Sequence, residues 1–525
     1  MNKFIKTLVI TAAMLPLFLA GQFTAYATGD NVMSQSDSIS ISGTFRGAIA
    51  GIDTVTLFVW ESMPPLRRLH AKSSTSYQQI LVDGQFHFSI KPTSDIVYIS
   101  LAYDKWNGQH RHLFNRYLSQ RGDSINVTAN FIELTNINTV SDSGRLIEND
   151  QLFFLGKGAG KYNMWKIAEK KANDLASEYY AWHQALQEDS GQENSEIERI
   201  FDRYQYIASA QLNWLNRFTP VCSPELFRVL RNELLAEISY TYLYRPLIFA
   251  TKKITDSDRA GFDSRYHELV RDVPLPDTNK TSGAYGSYRL LDFTLSKIRV
   301  EGTLSGSGLY PLLKQRYTGL LRERLLTKYL SEQYSHLLAD SAQSYLRDAL
   351  QLVHDETNKQ CLLSLQHLEK GAPVYNFSLP DRDGNVVTLS DFRGKIVFID
   401  FFYTGCSNCA SYFKKSVKPA KEYFRSNPEV VFMSVSIDGN RDKWIKSLES
   451  ELYTSSDALN LYTDGKGAVH PIIESLKILG YPHPILIDRE GKIFNNRYSE
   501  LGQNDPPGLI ARINEALKQR SSSTD

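Results

Sequence analysis

The feature that most constrains this chain is that its hydrophobic period changes twice. Over residues 38–131 the apolar positions alternate, as in Ile39 and Ile41, then Val55, Leu57 and Val59, then Phe86, Phe88 and Ile90, then Ile125 and Val127. A period of two is the mark of half-buried strands, and Asp83-Gly84 and Gly122-Asp123 supply turns between them. Residues 37–135 are therefore expected to form a small antiparallel, sandwich-like β domain. Over residues 147–368 the spacing becomes helical, with Leu313, Tyr317, Leu320 and Leu321 on one face and Phe201, Tyr204 and Ile207 on another. A mainly helical region is expected over 145–368, with Gly- and Ser-rich loops at 282–287 and 302–308. After Gly371-Ala372-Pro373 the text alternates between strands and helices. Apolar strands at 396–402, 430–437 and 485–487 are separated by helical stretches at 410–424, 441–448 and 470–476. That order predicts an α/β unit over 370–520 with parallel strands and crossover helices. No single core satisfies three periods, so the chain is multidomain, in keeping with its 525 residues.

The first 27 residues carry a different message. Lys3 and Lys6 precede an apolar run at 8–20 broken by Pro16, and Ala25-Tyr26-Ala27 follows. This is the order of a secretory signal peptide, with cleavage expected after Ala27. A run of that length rises only ~20 Å as a helix, short of the ~30 Å hydrocarbon core. Gln22 after Leu19-Ala20-Gly21 leaves no cysteine for acyl anchoring. No later stretch approaches 18 apolar residues, so the mature chain is expected to be periplasmic and not an integral membrane protein. Fifty-nine basic residues against 58 acidic ones give a net charge of +1, which offers nothing for a nucleic-acid backbone. Four cysteines exclude a disulfide-rich scaffold and a zinc site of paired CxxC motifs.

Where those cysteines fall matters more than their number. Cys406-Ser407-Asn408-Cys409 follows the first strand of the last unit and opens its first helix. Among six pairs of cysteines a chance separation of three is expected roughly 0.02 times in a chain of this length. A thiol at a helix start faces unpaired amides that stabilise its thiolate, while the second thiol lies one turn inside. Cys406 is the expected nucleophile and Cys409 the resolving thiol. Asp400 interrupts an otherwise apolar strand six residues earlier, and a buried carboxylate there suggests a proton acceptor for Cys409. Gly480-Tyr481-Pro482-His483-Pro484 runs into the strand at 485–487, where a cis peptide at Pro482 would bring backbone to the sulfurs.

These residues resemble the thioredoxin-fold domains of the extracytoplasmic TlpA/ResA-like group, in a Bacteroidetes-type layout with an upstream β domain and helical region. Leu389-Ser390-Asp391-Phe392-Arg393-Gly394-Lys395 looks like the family's lead-in, Ile399-Asp400-Phe401-Phe402 its strand, and Gly480-Tyr481-Pro482 with Ile485-Leu486-Ile487-Asp488 its cis-proline and following strand. The resemblance covers about residues 370–520. It implies a redox pair of Cys406 and Cys409, a buried acid at Asp400, a partner-binding loop at Tyr481 and Pro482, and a reductase direction. Two departures stand out. The family's Trp before the first cysteine is replaced by Gly405 after Tyr403-Thr404, and Ala410-Ser411-Tyr412-Phe413-Lys414 supplies neither the acidic residue nor the Pro that often follow the second.

Other families fit the same residues less well. A copper chaperone of the SCO type shares the Tyr-Thr-x-Cys lead, but three residues lie between its cysteines where two lie here, and it requires a third ligand such as His470 or His483. A peroxiredoxin would place Thr and Pro upstream of one peroxidatic cysteine. Here Thr404 is one residue too close, and Ile399 stands at the Pro position. A binding protein with a vestigial redox domain is opposed by the intact thiol pair. His110 and His112 lie on one strand face without a third ligand nearby, and the sequence leaves open whether Cys222 and Cys361 pair. The expected function is thiol-disulfide exchange with disulfide-containing proteins or small thiols, with no cofactor and with an upstream membrane thiol donor as a candidate partner.

Overall fold

The fold is described by a computed structural model covering residues 37–46, 54–61, 75–104, 110–130, 152–190, 195–217, 224–278, 287–502 and 504–519. The signal-like segment 1–27 and Cys222 lie outside the described residues.

The alternating N-terminal text forms two four-stranded sheets. One contains β1 (Ile39–Arg46), β4 (Gln85–Ile90), β7 (Ser124–Asn130) and β8 (Leu152–Lys157) in the order β4-β1-β7-β8. The other contains β2 (Thr54–Trp60), β3 (Thr75–Ile80), β5 (Ile96–Asp104) and β6 (His110–Gln120) in the order β3-β2-β5-β6. Every pairing in the two sheets is antiparallel except β1 with β7, which run parallel. The register aligns Ile41 with Phe88 on one side and Ile125 on the other, one file of a shared buried face. Gly43 stands in the next file, between Phe86 and Val127, where a β-carbon would collide with the Phe86 ring and the Val127 carbonyl.

Strand β8 falls inside the stretch expected to be helical. Its own alternation, with Leu152 and Phe154 buried and Phe153 and Leu155 exposed, is that of a strand, and it extends the first sheet along β7. Helices then run from Ala159 to Leu363. The helix Glu196–Leu215 opens with a capping box: Ser195 Oγ accepts the Glu198 amide, and the Glu198 carboxylate accepts the Ser195 amide at 3.2 Å. Two helices pass through a five-residue π segment, Tyr240–Tyr244 and Phe413–Val417. Each segment is followed after one residue by a proline, Pro246 or Pro419. A proline lacks an N–H and its ring crowds the carbonyl four residues back, so the wider turn sits where the ladder would otherwise be broken.

The last unit holds a hairpin of β9 (Ser378–Pro380) and β10 (Val386–Thr388), then a five-stranded sheet in the order β13-β12-β11-β14-β15. Its strands are β11 (Ile396–Phe402), β12 (Val430–Ser436), β13 (Leu459–Tyr462), β14 (His483–Ile487) and β15 (Ile493–Asn495). Strands β11, β12 and β13 are parallel, while β14 and β15 are antiparallel to their neighbours. All seven residues of β11 are buried because the sheet is covered on both faces. Ile396 and Phe398 point to a core built with the segment Phe413–Val417 and the C-terminal helix Pro506–Lys518. Val397, Ile399 and Phe401 point the other way, into a core shared with Leu325, Leu330, Leu346 and Leu365 of the preceding helical region.

One buried cluster thus spans the segment boundary near residue 370. Asn496 donates to the Leu368 carbonyl at 2.9 Å, and the Arg497 guanidinium lies over the Tyr334 ring at 4.5 Å. A fragment beginning at Gly371 would expose that sheet face to water. Its thermal midpoint is expected to fall well below that of a fragment beginning at Ser287, measured by circular dichroism. Equal midpoints would show that the helices contribute little to the sheet.

Candidate redox site

The site grows from the C-terminal end of the central strand. Strand β11 delivers the chain into the loop Tyr403-Thr404-Gly405, and Gly405 takes a φ of +100°, a conformation that excludes a side chain at low cost. Cys406 then serves as N-cap of the helix Ser407–Tyr412, its Sγ accepting the Cys409 amide at 3.1 Å. Cys406 and Cys409 are joined as a disulfide with their Cα atoms 5.2 Å apart. Cys406 keeps 4% of its surface exposed and Cys409 none, so an incoming group meets Cys406 first.

The disulfide rests in an aromatic nest. Phe402, Trp444, Tyr453 and Tyr462 share its buried cluster, with Trp444 stacked on Tyr462 at 4.9 Å and Phe402 on Tyr453 at 5.5 Å. Across from it the Tyr481–Pro482 peptide is cis, and the Tyr481 carbonyl lies 3.9 Å from Cys406 Sγ. Tyr403 meets the Tyr481 ring edge-on at 5.8 Å, which places two aromatic rings beside the one partly open sulfur. The structure therefore brings Cys406, Cys409, Tyr481 and Pro482 together.

Asp400 is held beneath the same helix. It alternates with Phe398 and Phe402 on the face of β11 that carries the cysteines' helix, and only 1% of it is exposed. Its Oδ1 is buried with no hydrogen-bond partner. Burial alone pushes its pKa far above the ordinary carboxylate range, because no cation or donor offsets the lost hydration. Burial raises the phenols of Tyr412 and Tyr498, and the nearby carboxyl of Asp400 adds to both shifts. A carboxyl of this kind holds a proton more readily than an exposed one, which suits a proton carrier beside the thiols.

Sequence reasoning missed the groups that fix the loop ahead of Cys406. Asp438, buried just past β12, accepts from the Thr404 hydroxyl at 2.7 Å, from the Thr404 amide at 3.2 Å and from the Ser436 hydroxyl at 2.8 Å. The Tyr453 hydroxyl accepts the Gly405 amide at 2.8 Å. The signal available was a lone acid closing the apolar run 430–437, the pattern that exposed Asp400. Asp438→Ala strands three donors, and each buried unpaired donor costs about 1–3 kcal/mol. Urea unfolding should show a loss of at least ~1 kcal/mol; an unchanged midpoint would mean that the loop re-forms without it.

The remaining candidates fall elsewhere. His483 pairs with Phe401 across the strands, so it faces the helical region and not the sulfurs, and burial lowers its pKa to about 4. His470 Nδ1 accepts the Ile472 amide at 3.3 Å as a helix cap. No group of three or more His, Cys, Asp or Glu suited to a metal occurs among the described residues. His112 is exposed beside Phe58, with ring centroids 5.8 Å apart, while the side chain of His110 lies outside the described residues. Cys361 is half-buried, 3.4 Å from Ser331 Oγ, and burial raises its pKa.

Comparison with known proteins bears on this geometry. Residues 370–495 match the AhpC/TSA family. The thiol-disulfide oxidoreductase ResA of Bacillus subtilis (strain 168) is 26% identical over 128 residues, which are 24% of this chain and 66% of that protein. ResA of Bacillus cereus (strain ATCC 10987 / NRS 248) is 26% identical over 129 residues, 24% of this chain and 69% of its own. The chain thus spans slightly under two thirds of the Bacillus subtilis relative. Among solved structures, the thioredoxin domain of a thiol-disulfide oxidoreductase from Bacteroides vulgatus is 28% identical, covering 28% of this chain and 96% of that one with a TM-score of 0.24. A central β11 that ends in a helix-capping CxxC opposite a cis-proline gives the last unit a thioredoxin fold. Over that unit the multidomain chain is similar to thiol-disulfide oxidoreductases named ResA.

Proposed function

We propose that the chain is a periplasmic thiol-disulfide reductase that acts on disulfides of proteins or small thiols. In this reading the Cys406 thiolate attacks one sulfur of a substrate disulfide, forming a mixed disulfide and releasing the other substrate sulfur as a thiolate. Cys409, its proton passed to Asp400, then attacks Cys406 Sγ. The substrate leaves fully reduced, two electrons poorer protein carries the Cys406–Cys409 bond, and a membrane thiol donor returns the electrons. Tyr481 and Pro482 supply the backbone edge along which the substrate lies. The observation that carries the reading is the inequality of the two sulfurs, one at the surface against the cis-proline loop and one buried above an unpartnered carboxyl. The export signal read at 1–27 supports the compartment, and no helix among the described residues is long and apolar enough to cross a membrane.

The direction of flow is tested by equilibrating the purified protein with glutathione buffers. A potential near thioredoxin's roughly −270 mV is expected, and a value near the roughly −120 mV of a strong oxidant would reverse the assignment. Failure of the reduced protein to reduce insulin would remove the activity itself.

A further inference from the structure

The helical region holds a cleft that thiol exchange does not use. A cavity of about 580 Å³ opens among the helices Ala159–Ser190, Glu196–Leu215 and Arg245–Thr251 and the π segment Tyr240–Tyr244. That volume is within the range of small-molecule sites. Three arginines line it, Arg199, Arg203 and Arg245, against one carboxylate, Glu196. Glu196 is already engaged by Lys253 at 3.3 Å. Arg203 is buried, with one guanidinium nitrogen donating to the Tyr242 carbonyl at 3.3 Å, and burial lowers its pKa. Arg199 and Arg245 have no ion pair among the described residues. Among the described residues, Arg199 and Arg245 thus bring positive charge to the cleft without an ion-pair partner.

Its other walls are aromatic. Phe249 lines the cleft and is 55% exposed, and Tyr242 comes from the π segment. The Tyr179 hydroxyl donates to the Arg199 carbonyl at 3.4 Å. Burial and the charge of Asp202 push that phenol up to about 12, so Tyr179 stays neutral and adds no opposing charge. Planar guanidinium groups pair with oxyanions through two parallel N–H donors and also stack on aromatic faces.

We propose that this cleft binds a small organic oxyanion, a carboxylate or phosphate carried on a flat aromatic body. The guanidinium groups of Arg199 and Arg245 take the charged head, and the Phe249 side of the cleft takes the ring. Ile200 and Tyr242 in its wall pack in a different cluster from the one that holds Cys406.

Titration calorimetry on the full mature chain tests this with four probes: phenyl phosphate, benzoate, neutral benzamide and inorganic phosphate. At least one aryl anion is expected to bind saturably, and which of the two binds better identifies the head group. Benzamide and inorganic phosphate should each bind at least about tenfold more weakly, since each lacks one half of the recognised chemistry. The double variant Arg199→Gln with Arg245→Gln should lose about tenfold or more in affinity while its circular dichroism and its insulin reduction stay at the wild-type level. Absence of binding by both aryl anions, equal binding of benzamide, or undiminished binding by the double variant would overturn the proposal. Should that variant not fold, the comparison of benzoate and phenyl phosphate with benzamide on the wild-type chain decides alone.

Discussion

In a Cys409→Ser chain, a disulfide-bearing partner should remain attached to Cys406 as an adduct that disappears on reduction, whereas Cys406→Ser should capture nothing. The asymmetry follows from placement. Cys406 caps the helix, is the only one of the two residues with exposed surface and has its Sγ 3.9 Å from the Tyr481 carbonyl, while Cys409 is buried in a cluster with Phe402 and Trp444. A thiol with no exposed surface cannot begin an exchange with a macromolecular disulfide. It can only complete one begun by its neighbour. Either variant should lower steady-state insulin reduction by on the order of 10³-fold or more, since the two sulfurs act as one unit. Adducts are counted by non-reducing electrophoresis and mass spectrometry. Equal capture by Cys406→Ser would invert the order of the two thiols.

Asp400→Asn carries the second large effect. Resolution should slow by roughly 10²-fold near pH 7, the usual scale for losing a positioned proton acceptor, while the attack by Cys406 changes little. Stopped-flow measurement of the two steps separates these outcomes, and an unaltered resolution rate would reduce Asp400 to a packing role. Stability should move in the opposite direction. The pKa of Asp400 is raised in the folded state, so its favourable contribution is complete below the ordinary carboxylate range and is lost as pH rises through the folded value. Asparagine does not ionise and escapes that loss. The variant should therefore unfold at higher denaturant than the wild type at alkaline pH, with the gap closing in acid. A gap that widened in acid would mean that the carboxylate is stabilised by a partner.

The redox pair, the buried acid and the cis-proline were legible because each breaks a local rule that a reader can see in one dimension. CxxC is a rare spacing, Asp400 is a charge in an apolar run, and Pro482 stands directly before a strand. The clamp on Thr404 was not legible, since Asp438 meets it only when β12 is laid beside β11. Hydrophobic period distinguished the three textures but not how they join. Strand β8 is short and lies 22 residues beyond the end of β7, next to a helical text, and the parallel register of β1 with β7 leaves no trace in either strand's alternation. A leucine that faces a neighbouring segment reads the same as one that faces its own helix partner, which is why Leu325 and Leu330 gave no hint that they cover Ile399 and Phe401.

That shared cover has a consequence for the order in which the chain can be completed. The first large cluster uses residues up to Leu304 and can close while synthesis continues. The second cannot: Leu325 and its neighbours must wait for Ile485, Ile487 and Ile493, more than 150 residues downstream. During that interval a row of leucines stays open to water and to other chains, as is usual for proteins completed from their far end. The last strands to be made are also those that bring the cis-proline to Cys406. The thiol pair is therefore assembled at the moment the helical region is first covered, and a chain truncated before residue 485 leaves both unfinished.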